Sequence, residues 1–299
     1  MINEAQQRAQ QNRNTIFVED GTILTRDGYP GDQFVMRIRA PKCAAASTAG
    51  SFVHLSCDES LPMRRPMSVM RTREDWIEIL YKTVGQGLKL LSLKQPGDSL
   101  SVLGPIGRPF RLDPDKPNAL LIGGGVGIPP MVFLADTMRK DSRFKPVAVL
   151  GSEIPFPFDI VPSRLPFNAI DAATDGTMPL LESWGVPTRL TSMQAFDACF
   201  RGYVTDLARR WLDTADEATR QATNIYTCGP TPMLKAVAAL AEEYGVACQV
   251  SLEEFMACAV GGCAGCAVRV NLADGPAMQR VCVDGPVFDA RVVDWDAHP

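Results

Sequence analysis

The stretch "SLEEFMACAVGGCAGCAV", residues 251–268, sets three cysteines in the order C-x4-C-x2-C, and a fourth, Cys282, follows in "RVCVDGPVF". Thiolates at Cys258, Cys263, Cys266 and Cys282 in this spacing suit a plant-type [2Fe–2S] cluster. A loop wrapping such a cluster must turn sharply and aim main-chain N–H groups at sulfur. Gly261, Gly262, Ala264 and Gly265 leave room for that approach. The competing assignment is a structural zinc on four cysteines, whose usual text is a pair of C-x2–4-C knuckles. Cys43, Cys57, Cys199, Cys228 and Cys248 are scattered and read as small buried apolar residues, with Cys228 set apart by its place in a "CGP" loop.

Glycine turns form the second chemical signal. In "LLIGGGVGIPP", Gly123, Gly124, Gly125 and Gly127 stand between an apolar run and a proline-opened helix, where free N–H groups can receive a diphosphate. The text departs from G-x-G-x-x-G, since Ile128 and Pro129 fill the later positions, and a tight packing turn would read the same way. A second loop, "YTCGPTPML", places Cys228, Gly229 and Pro230 in the same context, and two such turns at parallel strand ends fit one nucleotide lying across both. In "RRPMSV", Arg65 and Ser68 flank the rigid Pro66. That arginine can grip a phosphate by its two-pronged fork, or be a surface residue beside a strand-edge proline. "VGQGLKLL" offers a further cradle at Gly85 and Gly87. Acid–base machinery is sparse: the only histidines are His54, in a strand-like run, and His298, at the C-terminus. The chain reads as a holder of redox groups.

These residues need a scaffold, and the text supplies two kinds. From Thr15 to about Leu112, six short runs ("TIFVEDGTILT", "QFVMRIRA", "SFVHLSC", "PMSVMRT", "WIEILYKTV", "SLSVLG") predict an antiparallel β-barrel, interrupted by one helix over "GQGLKLLSLKQPGD". Strand and helix then alternate through "NALLIGG", "KPVAVLGSE", "FNAIDAATDG", "VTDLARRWL", "ATNIYTC" and "TPMLKAVAALAEEYG", the text of a doubly wound parallel sheet. A strand "ACQVSLEE" leads into the cysteines. The expected divisions are a polar tail over 1–12, the barrel over 13–114, the α/β unit over 115–247 and a small cluster module over 248–299.

Composition narrows the classes. The 299 residues are 46% hydrophobic and 21% charged, with a net charge of −4, as in an ordinary globular protein. No basic run suggests a nucleic-acid partner, and no apolar run is long enough to span a membrane. The polar N-terminus lacks a secretory h-region, and clustered cysteines in such a chain point to a reducing, cytoplasmic setting.

Taken in order, "RRPMSV", "GQGLKLL", "LGPIGRPF", "LLIGGGVGIPP", "ATDG", "RGYVTD", "YTCGPTPML" and "SLEEFMACAVGGCAGC…VCVDGPVF" resemble the electron-transfer subunits of NAD-dependent dihydroorotate dehydrogenase, within the ferredoxin–NADP reductase superfamily. The resemblance covers roughly residues 15–293. It implies FAD in the barrel, with Arg65, Pro66, Met67 and Ser68 on the flavin and its phosphates and Gly85, Gly87 and Leu88 at the diphosphate. It implies NAD(H) over Gly123, Gly124, Gly125, Gly127, Cys228, Gly229 and Pro230, and the cluster on the four cysteines. It also implies a flavin-containing catalytic partner, in a heterotetramer, serving pyrimidine biosynthesis. Leu88 stands where the family usually has threonine, Arg108 and Pro109 replace smaller residues, and "GSEIPFPFDI" is unusual after its strand. Glu153 there favours NADH over NADPH. Two other readings stay open: a reductase for another acceptor (an oxygenase, hydrogenase or ferredoxin-linked system), and a non-enzymatic redox sensor.

Overall fold

The computed structural model describes residues 15–167 and 174–298. The tail expected over 1–12 lies outside them.

All six barrel runs are strands: β1 (Phe17–Tyr29), β2 (Gln33–Arg39), β3 (Phe52–Leu55), β4 (Arg65–Arg73), β5 (Trp76–Lys82) and β6 (Ser99–Ile106). They close in the order β1-β2-β5-β4-β3-β6. One long strand makes closure possible, because the Thr22–Tyr29 half of β1 pairs with β2 while the Phe17–Thr22 half pairs with β6. Alternation fills the interior: Ile23, Met36, Ile38, Val53, Leu55, Val69, Ile77, Ile79 and Val102 are buried in one core. Two short helices decorate the barrel, α1 (Pro41–Ala46), absent from the sequence reading, and α2 (Gly85–Leu91), which it anticipated.

Downstream, β7 (Asn118–Gly124), β8 (Lys145–Gly151), β11 (Thr188–Ser192), β12 (Phe200–Arg201), β13 (Thr223–Cys228) and β14 (Ala247–Ser251) pair in parallel. The sheet order is β12-β11-β8-β7-β13-β14-β17, the edge strand β17 (Val287–Asp289) running antiparallel to β14. Crossovers include α3 (Ile128–Met138), α4 (Pro179–Ser183), α5 (Val204–Thr214), α6 (Glu217–Gln221) and α7 (Thr231–Glu243). Strand β11 went unseen in the sequence because "TRLTS" reads as polar, yet all five residues are buried. The guanidinium of Arg189 donates to the carbonyls of Thr188 and Leu165 and lies 5.3 Å from the Phe167 ring centroid. The strand expected over "FNAIDAATDG" falls largely outside the described residues; beside it, β9 (Val161–Pro162) and β10 (Gly176–Thr177) form a small antiparallel pair.

Beyond β14 the cysteine segment carries no regular element until the hairpin of β15 (Ala267–Leu272) and β16 (Gly275–Arg280). Barrel and sheet are pinned by one carboxylate. Asp136 on α3, fully buried, accepts from Arg73 of β4 at 2.8 Å, Arg139 at 2.7 Å and Lys140 at 2.9 Å.

Candidate functional site

In the barrel, β4 carries Arg65, Pro66 and Ser68 half-buried, while Met67 is buried in the core. Arg65 donates to the carbonyls of Met63 and Arg64 at 2.8 and 3.1 Å, which turns its fork across the start of α2. A Cβ built on Gly87 would stand 3.0 Å from Arg65 Nε, so β4 and α2 meet at these two residues. Gly85, at φ +67°, leaves open space around its Cα, and Leu88 packs against the barrel core. A guanidinium facing exposed main chain is a chemically suitable anion cradle.

The second group lies at the C-terminal ends of β7 and β13, which pair Gly123 with Cys228. Gly124 and Gly229 both abut Met233, and a Cβ on Gly127 would lie 2.5 Å from Gly229 N. Only glycine lets the two loops close this far. Gly125 sits above them at φ +54° with nothing within 4 Å of a Cβ, and its turn borders β5 of the barrel. Pro230 precedes α7. The Cys228 thiol is 3.8 Å from Glu253 Oε1, a contact that places the residue just past β14 at the CGP loop. Burial pushes both the Cys228 thiol and the Glu253 carboxyl up. Sequence reasoning missed Glu253; the acidic "LEE" after a strand was its one trace.

The loop following β8 lines a groove of about 540 Å³ with Phe156, Phe158 and Asp159, closed by Phe196 and Asp197 after β11 and by Tyr29 of the barrel. Glu153 is exposed on the same loop.

The four cysteines of the motif lie in one loop and in the turn tied to it by Arg280, and among the described residues no three ligating side chains form a ready single-ion site. Cys263 N donates to Cys258 Sγ at 3.4 Å, Gly265 N to Cys263 Sγ at 3.4 Å, and Cys266 Sγ lies 3.4 Å from Cys282 Sγ. The Cys266 and Cys282 thiols thus touch, and the Cys258 sulfur receives the main chain of Cys263, a donor set that suits a [2Fe–2S] cluster. Ala259, Gly261 and Ala264 take positive φ of 56°, 82° and 56°, folding main-chain N–H groups inward. Burial alone would raise the Cys258 thiol, but N–H groups of Cys263, Val260 and Gly262 bring it down to about 7. Burial and the neighbouring Cys266 push Cys282 up to about 12. Lowering the first thiol favours the thiolate that binds metal. Of the other cysteines, Cys43, Cys57, Cys228 and Cys248 are buried and Cys199 is partly so.

His54, set aside in the sequence as a strand residue, is fully buried on β3. Burial, then the Arg64 charge, lowers its pKa to about 4, so the ring is neutral at pH 7.

A closed antiparallel barrel, a parallel nucleotide-type sheet and a thiol-rich C-terminal loop define a flavin reductase of the ferredoxin–NADP reductase fold. A solved structure of an NADH-dependent reduced ferredoxin-NADP oxidoreductase superposes with a TM-score of 0.74 at 28% identity, covering 92% of this chain and 90% of that one. The ferredoxin reductase of carbazole 1,9a-dioxygenase shares the fold at a TM-score of 0.60, 18% identity and coverage of 77% and 67%. Residues 253–294 match the iron-sulfur cluster binding domain of dihydroorotate dehydrogenase B. The dihydroorotate dehydrogenase B (NAD(+)) electron transfer subunit of Caldanaerobacter subterraneus is 33% identical over 82% of this chain and 86% of its own length. That of Listeria monocytogenes is 34% identical over 88% and 93%. The chain belongs to the family of dihydroorotate dehydrogenase B (NAD(+)) electron transfer subunits.

Proposed function

We propose that this chain carries electrons between NAD(H) and a flavin-containing catalytic subunit that oxidises dihydroorotate, in a two-plus-two assembly in the cytoplasm, as a step of pyrimidine biosynthesis. The observation that carries the reading is the contact of the Cys266 and Cys282 thiols, with Cys263 N donating to the Cys258 sulfur, within the segment matching the dihydroorotate dehydrogenase B cluster domain. Residues 13–114 supply the flavin barrel, 115–247 the nucleotide unit and 248–299 the cluster module. Among the described residues no helix is long and apolar enough to cross a membrane.

Bound FAD and a [2Fe–2S] cluster together exchange the paired electrons of NAD(H) for single ones. The protein's residues bind and orient. Arg65 neutralises phosphate charge, with the main chain of Gly85, Gly87 and Leu88 beside it, so the loss of the family's threonine hydroxyl leaves the backbone to act. Pro66, Met67 and Ser68 line the flavin strand. Gly123, Gly124, Gly125 and Gly127, with Cys228, Gly229 and Pro230, hold the dinucleotide across the two strand ends. Cys258, Cys263, Cys266 and Cys282 hold the cluster.

The test is reconstitution. The purified chain is expected to reduce artificial dyes with NADH yet leave dihydroorotate untouched, and the flavin-containing subunit restores NAD-linked turnover. Dihydroorotate turnover by this chain alone overturns the reading. The likeness to an NADH-dependent reduced ferredoxin-NADP oxidoreductase favours one second reading, a reductase for another acceptor. Faster electron transfer to oxidised ferredoxin than to the catalytic subunit would select it.

A further inference from the structure

Cys282 lies at the centre of a tight turn from Arg280 to Gly285, in which the Arg280 carbonyl accepts from the N–H groups of Val283 and Asp284 at 3.0 and 2.8 Å. Two arginines hold this turn. Arg280 Nη1 donates to the Gly261 carbonyl at 2.9 Å, tying the turn to the loop of Cys258, Cys263 and Cys266. Close packing reinforces the tie, since a Cβ on Gly261 would lie 2.5 Å from Val283 Cγ2. From the barrel, Arg108 donates its main-chain N–H to the Gly285 carbonyl at 2.6 Å and its Nε to the Val283 carbonyl at 3.1 Å. Arg108 also forms a β-bridge with Pro286. The sequence marks Arg108 as a departure from its family; the structure places it on the turn of the fourth cysteine.

We propose that Arg108 and Arg280 form a cationic clamp that positions Cys282 and raises the reduction potential of the cluster. The inference rests on the four cysteines being its ligands. A reduced cluster carries one more negative charge than an oxidised one, so a nearby cation stabilises the reduced form. The two arginines differ in strength. Asp284 takes a hydrogen bond from Arg280 N and stands 3.7 Å from its Nε, offsetting part of that charge. Among the described residues no carboxylate forms a salt bridge with Arg108, whose charge therefore acts more fully.

The experiment is an EPR-monitored redox titration of the cluster in Arg108→Gln, Arg280→Gln and the Arg108→Lys and Arg280→Lys variants, with iron and FAD assayed on each. Arg108→Gln is expected to lower the equilibrium constant for reduction about tenfold, about 59 mV for a one-electron couple, and Arg280→Gln by less. Each lysine variant keeps the charge and loses the fork, so its potential stays near wild type while iron is released several-fold faster. Should a glutamine variant fail to hold iron, its lysine counterpart decides: wild-type potential with faster release supports the clamp, and a wild-type release rate overturns it. Unchanged potentials in glutamine variants with full iron and FAD also overturn it. Failure of the cluster reading itself is distinguishable, because wild-type protein would then lack the cluster's EPR signal.

Discussion

Arg65 lays its guanidinium across Gly87: a Cβ on that glycine would stand 3.0 Å from Nε and 3.1 Å from Cζ and Nη2. The neighbour is the end of a flexible side chain, so Gly87→Ala displaces Arg65 without breaking the barrel. Losing one charged hydrogen bond to a phosphate is worth about 1.5–3 kcal/mol, so FAD affinity should fall about tenfold or more. Thermal stability should hold or rise slightly, since alanine favours the helix. Flavin-fluorescence titration checks this, and an unchanged Kd would detach Arg65 from the cofactor.

Cys263 is exposed at the rim of the cysteine loop. Cys263→Ser removes one thiolate without opening a cavity, so the visible cluster absorption should disappear while bound FAD stays stoichiometric. Iron equal to that of the wild type would remove Cys263 from the ligand set.

Asp136 gives the barrel–sheet contact a pH dependence. Burial opposes its ionisation, yet hydrogen bonds from Arg73, Lys140 and Arg139 outweigh that and hold its pKa at about 2. A folded value below the unfolded one means stability fully present above about pH 4 and lost as pH falls toward 2. Asp136→Asn should cost about 3 kcal/mol at pH 7 and little at pH 2. Urea denaturation at several pH values measures the difference, and a cost independent of pH would contradict the assignment.

Nucleotide choice is expected to favour NADH. Glu153 is exposed on the loop after β8, and the groove formed by that loop carries Asp159 and Asp197, with no lysine, arginine or histidine among the described residues of its lining. A 2′-phosphate there meets carboxylates and no cation. NADH should show a kcat/KM at least tenfold above that of NADPH, and Glu153→Gln should narrow the gap. A lower KM for NADPH at similar kcat would refute the inference.

Much of this was legible in local text. Period-two runs specify the barrel strands because alternate side chains must face one core. The turn at Gly123–Gly127 and the C-x4-C-x2-C spacing are equally local, for a glycine turn or a ligand loop is built within a few residues. Strand β11 escaped because its threonines and Arg189 read as polar, and only the packing of the sheet buries them.

What the sequence by itself determined, then, is the order of the elements and the residue types at each turn. Tertiary structure alone decided which distant residues meet. It set Cys266 against Cys282, Glu253 against Cys228, and Arg108 against Val283 across 175 positions of chain. Such contacts arise from the packing of barrel, sheet and C-terminal turn together. No spacing rule reaches that far, since side-chain periodicity is a property of one element and says nothing of which other element it will touch.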